Sequence, residues 1–141
     1  MTWGMTSLLN PMAVRDNRIA LLIPGDVLRV DAEPLLRLRA VDGPQAASER
    51  IAQAREELAY RLSRVDLHHR AGAFDDLVID LRAIAQAAMP IGLTDLGLVA
   101  AHVQDCATRG DAAALGATLA RLGRLGAQAL DLIAALRQAP D

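Results

Sequence analysis

The stretch from Pro44 to Arg70, PQAASERIAQAREELAYRLSRVDLHHR, decides the fold. Ala47, Ile51, Ala54, Leu58, Leu62 and Val65 recur at steps of three and four, while Glu49, Arg50, Glu56, Glu57, Arg61 and Arg64 fill positions between them. An amphipathic helix puts those two sets on different faces. Pro44 suits a first helical turn, whose N–H groups lack intrahelical partners, and Gly72 stands where a left-handed residue closes a helix. His68 and His69 fall in the last turn, where imidazolium meets the negative end of the helix dipole, and they read as capping residues.

Downstream the pattern repeats. Phe74, Leu77, Val78, Leu81, Ile84, Ala85 and Ala88 make a second stripe that Pro90 ends. Leu96, Val99, Ala100, Val103 and Cys106 make a third, from Thr94 as N-cap to Gly110. Asp111 caps a last helix carrying Leu115, Leu119, Leu122, Leu125, Ala129, Leu132, Ile133 and Leu136. Short turns make successive helices antiparallel, so the expected fold class is all-α, an up-down four-helix bundle spanning 44–141. Gly116, Gly123 and Gly126 each cost about 1 kcal/mol of helix propensity relative to Ala, which predicts close approach of another helix.

Upstream, 1–43 reads as an N-terminal arm, with the boundary at Asp42-Gly43-Pro44. Ile19 to Ile23 and Val27 to Val30 flank Pro24-Gly25-Asp26, a tight-turn combination that predicts a short β-hairpin or an extended arm. Leu35-Leu36-Arg37-Leu38-Arg39, after Pro34, reads as either another strand or a single helical turn.

Composition narrows the chemistry. The 141 residues include 28 Ala and 23 Leu, and all 15 basic residues are Arg. Without lysine there is no Schiff-base or phosphate-loop ammonium. A net charge of −2 lacks the basic excess of a chain that neutralises phosphates, so no nucleic-acid partner is expected. Cys106, the sole cysteine, fits a reducing compartment. Met1 to Val14 lacks the basic and apolar regions of a signal peptide, and no run approaches the ~20 apolar residues of a membrane span. The expectation is a cytoplasmic protein without a membrane partner.

Candidate reactive groups read mostly as structural. His102 and Cys106 lie four apart, a metal-sharing spacing, but no second ligand pair accompanies them and neither metal nor cofactor is expected. Ser7, Ser48 and Ser63 lack an adjacent His and Asp, which leaves serine catalysis unsupported. Asp75, Asp76 and Asp80 form an acidic turn near the start of the second helix. The helix dipole accounts for the first two.

The order of parts resembles the histidine phosphotransfer domain family over about Gln45 to Leu136. Gly72-Ala73-Phe74 is similar to the opening of the family's phospho-accepting helix and Ile91-Gly92-Leu93 to its later turn. Cys106-Ala107-Thr108-Arg109-Gly110-Asp111-Ala112-Ala113-Ala114-Leu115 resembles the junction of its last two helices. The resemblance places Arg82 at the phospho-His position, Ala85 at the family's Lys and Gln86 at the following Gly. A guanidinium cannot serve as the nucleophile, and the lysine that would help neutralise phosphate is gone. Stepping around the helix from Leu81 puts Asp75, Ile79, Arg82, Gln86 and Met89 on an outward face, a candidate partner-binding patch. The resemblance implies a non-enzymatic signalling module of a two-component phosphorelay, a non-phosphorylatable adaptor that docks on a receiver or histidine-kinase domain. The alternative is a structural bundle that homodimerises through the arm, Ile19 to Val41.

Overall fold

The structure is a computed structural model that describes residues 18–23 and 26–138, with the side chains of residues 28–136. The readings of Met1 to Val14, of Ser7 and of the Pro24-Gly25 turn lie outside the described residues. Two strands, β1 (Arg18–Ile23) and β2 (Asp26–Asp31), precede helices α1 (Glu33–Asp42), α2 (Pro44–Arg70), α3 (Phe74–Ala88), α4 (Thr94–Arg109) and α5 (Ala112–Gln138). A single 3-10 turn, Met89–Ile91, follows α3 at Pro90. The chain is predominantly helical, as its hydrophobic period predicts.

Each of α2 to α5 packs on its neighbour in sequence, and α2 also touches α5. Their buried stripes meet in one core, with Leu58 of α2, Leu81 and Ile84 of α3, Val103 of α4 and Leu122 and Leu125 of α5 all almost completely enclosed. Each such side chain contributes about 1.5–3 kcal/mol relative to exposure. Phe74, expected in the second stripe, is instead 49% exposed. It is the first residue of α3, one turn before the helix settles against its neighbours.

Three turns share one construction. After α2, Ala73 N–H donates to His68 O and Gly72 N–H to His69 O, and Gly72 takes φ +69°. The same pair of bonds recurs at Gly92, onto Ala88 and Met89, and at Gly110, onto Cys106 and Ala107. This is the Schellman closure, in which a left-handed glycine lets two following amides satisfy the last free carbonyls. Asp111 Oδ1 then accepts from Ala114 N–H at 3.1 Å, the expected N-cap of α5. Thr94 departs from expectation. It is the first helical residue of α4, Leu93 holds the N-cap position, and the Thr94 hydroxyl turns back to Gly92 O.

The N-terminal region joins the same core. β1 and β2 pair antiparallel, with Arg18 opposite Asp31 and Ile23 opposite Asp26, the hairpin predicted upstream. Along β2 the period of two buries Leu28 and Val30 and exposes Arg29. Asp31 N–H donates to Gly92 O at 2.8 Å, and Arg29 N–H to Asp95 Oδ2 at 3.0 Å, which fastens β2 to the turn before α4. The run from Leu35 to Arg39 is neither a strand nor a lone turn. It belongs to the ten-residue α1, which Pro34 opens and which ends at Gly43, φ +95°. None of α1 is fully buried, so its local sequence carries too few apolar repeats to reveal its period.

The glycines of α5 divide. A Cβ on Gly126 would lie 2.8 Å from both methyls of Leu62, so α5 packs tightly on α2 there, the close approach expected of all three glycines. Cβ atoms on Gly116 and Gly123 would meet nothing within 4 Å. Gly116→Ala is therefore expected to stabilise the fold by about 0.5–1 kcal/mol, and Gly126→Ala to stabilise it less, because the Leu62 methyls must shift to make room. Urea unfolding of the two variants checks this difference.

Candidate functional site

Two groups of side chains stand out along α3 and the turn that follows it, on opposite sides of the helix. The first is the outward patch. Asp75, Ile79, Arg82, Gln86 and Met89 are all exposed, with Ile79 at 52% and Met89 at 45%. Leu81 is fully buried beside Arg82, which fixes the rotation of α3. Among the described residues Arg82 makes no ion pair, and its guanidinium fork faces solvent. Met89 bends over α4. A Cβ on Gly97 would come within 2.5 Å of its Sδ, so the thioether lies against that glycine. The patch is thus a strip about four turns long with an apolar residue near each end and Arg82 between them.

The second group is inside. Asp80 is completely buried, and its two carboxylate oxygens point at different partners on α2. Arg61 Nη1 donates to Oδ1 at 3.0 Å, and His68 Nδ1 lies 2.5 Å from Oδ2. Arg61 also donates from Nε to Glu57 at 3.0 Å. The Glu57 hydrogen bond first, and the Asp80 hydrogen bond second, raise the Arg61 guanidinium above its ordinary value. Removing a carboxylate from water is costly unless its oxygens are paired, and here both are.

The His68 reading changes accordingly. It is not a cap on the helix terminus but a bridge from α2 to α3. With Nδ1 held by Asp80, Nε2 is the ring nitrogen left toward the surface, and the side chain is 19% exposed. The arrangement fixes the imidazole's orientation in the way a carboxylate orients a base, yet among the described residues no serine or cysteine faces it. Ser63 Oγ is engaged with Tyr60 O, and Cys106 is buried on α4. His102 is exposed while Cys106 is fully enclosed and receives an N–H from Arg109, so that pair does not converge. Among the described residues no cluster of three or more metal-ligating side chains forms, and no helix is long and apolar enough to cross a membrane.

Sequence reading missed the cluster, although one signal was present. Asp80 lies three residues after Leu77 and four before Ile84, within the apolar stripe. A charge at a core position needs a buried partner, and Arg61 and His68, seven apart on the preceding helix, share the face that meets it.

Compared with known protein families, with curated proteins and with solved structures, the chain matches none.

Proposed function

We propose that α2 to α5 form an up-down four-helix bundle of the histidine phosphotransfer type, and that it serves in a two-component phosphorelay as a docking module. The outer face of α3 would bind a receiver or histidine-kinase domain in the cytoplasm, without itself carrying the phosphoryl group. One observation carries this reading: Asp75, Ile79, Arg82, Gln86 and Met89 lie together in solvent on the helix face that the resemblance assigns to partner contact. Arg82 stands at the phospho-acceptor position, where its fork suits the carboxylates of an acidic receiver pocket. Ile79 and Met89 supply apolar contact on either side of Arg82.

The reading is tested by titrating the purified chain with receiver and histidine-kinase domains from the same genome. Binding in the micromolar range to at least one is expected. Arg82→Glu should weaken it at least tenfold, about 1.4 kcal/mol, whereas Arg55→Glu on the exposed side of α2 should leave it unchanged. Failure to bind any of these domains, or equal loss from both variants, would overturn it.

A further inference from the structure

The Asp80 cluster leaves two nitrogens of α2 without a partner, and neither belongs to the docking patch. Glu57, Arg61, Arg64 and His68 fall within an arc of about 60° on α2, at about 100° per residue. Arg61 bridges Glu57 and Asp80, and His68 Nδ1 takes the second oxygen of Asp80, so both carboxylates are engaged. Asp66, on the same stretch of α2, is taken by Arg70. Arg64 makes no hydrogen bond or ion pair among the described residues, and its Nε–H is buried without an acceptor. Buried N–H groups are as a rule satisfied, so this one calls for an acceptor that the chain does not supply. The second nitrogen is His68 Nε2. Asp80 fixes the ring from its Nδ1 side, which leaves Nε2 toward the surface.

We infer that Arg64 and His68 together bind a phosphate group, as inorganic phosphate or as a small phosphate monoester. Residues four apart on a helix are neighbours, with about 5–6 Å between their Cβ atoms, so one small anion spans both. The charge calls for an anion, because Arg61 already serves both carboxylates and the Arg64 charge is left over. The guanidinium fork offers parallel N–H groups to two oxygens of the ligand. A tetrahedral phosphate keeps a further oxygen for Nε2, whereas a carboxylate held by the fork has none left. Phosphate also ionises near neutral pH, which suits an imidazole whose Nδ1–H is committed to Asp80. Nε2 accepts from the P–OH of the monoanion or, as imidazolium, donates to the dianion. No bond to phosphorus forms, so the site stands beside the docking reading and independent of it.

Nitrogen-15 spectra of the histidine side chains in the full chain, recorded while phosphate is added at constant pH and ionic strength, test the inference. The His68 Nε2 resonance should move and saturate in the low millimolar range or below, while that of the exposed His102 stays in place and sodium chloride moves neither. Inorganic phosphate and methyl phosphate are titrated separately, and the tighter of the two shows whether the site takes free phosphate or an ester. Phosphate should also raise the melting temperature, as any ligand of the folded state does. Arg64→Met and His68→Gln should each weaken binding at least tenfold by that second readout, and Arg55→Gln should not. Arg64→Met removes a buried unpaired donor, so the ligand-free variant should be at least as stable as the wild type. An Nε2 resonance that ignores both phosphates, or binding indifferent to Arg64→Met and His68→Gln, would overturn the inference. Arg82→Glu should leave phosphate binding unchanged, so failure here is distinguishable from failure of the docking reading.

Discussion

Asp80→Ala is expected to destabilise the protein by about 3 kcal/mol, the low end of the range for breaking a buried ion pair by removing one partner. The carboxylate is the hub of the α2–α3 contact: it satisfies His68 Nδ1, and it takes one arm of Arg61. Without it, an imidazole and a guanidinium stay at a helix interface with a small cavity where the carboxylate was. Both side chains are partly exposed, at 19% and 26%, and can turn toward water, which is why the low end of the range applies. For a domain of this size the loss corresponds to a fall of about 10 °C in melting temperature. Asp80→Asn, which keeps the shape and one acceptor oxygen, should lose distinctly less. His68→Gln should also lose less, since it removes one bond and leaves the Arg61 pair intact. Urea unfolding of the three variants orders them. If Asp80→Ala matched the wild type to within about 0.5 kcal/mol, the carboxylate would not be held as described.

Why the helices were legible while this cluster was not follows from what each depends on. The ends of α2, α3 and α4 follow from local chemistry: Pro44 and Pro90 remove donors, and Gly72 and Gly110 supply left-handed residues, each within a few positions of the break it causes. The β-hairpin was similarly announced by its turn residues and the alternation of Leu28, Arg29 and Val30. α1 was not, because none of its residues is fully buried and its stability comes from neighbours that its own sequence does not show. The Asp80 cluster joins groups 12 and 19 residues apart across the α2–α3 turn. Only when both helices are rotated so that their stripes face each other do Arg61 and His68 converge on one carboxylate. The outward patch, in contrast, needed the rotation of one helix only, and Leu81 and Arg82 supply it.

Gly92→Ala should be the most damaging single-methyl change, for two separate reasons. Gly92 sits at φ +83°, where an alanine costs about 1–2 kcal/mol on backbone grounds. The second reason is the strand: a Cβ there would lie 1.8 Å from Asp31 O and 2.9 Å from Asp31 C, both backbone atoms that no side-chain rotation can move aside. The only relief is to push β2 away, which breaks the Asp31 N–H to Gly92 O bond and draws Leu28 and Val30 out of the core. Losing even part of that burial adds about 2 kcal/mol or more. A total of at least about 3 kcal/mol is expected, read by denaturant unfolding. Gly72→Ala isolates the first cause, since Gly72 has φ +69° but nothing within 4 Å of a Cβ. That variant should lose only about 1–2 kcal/mol. Amide exchange separates them further: Asp31 N–H should lose its protection in Gly92→Ala and keep it in Gly72→Ala. Equal losses from the two variants would mean that the hairpin is not pinned to the turn before α4, and that the N-terminal segment contributes little to the stability of the helices.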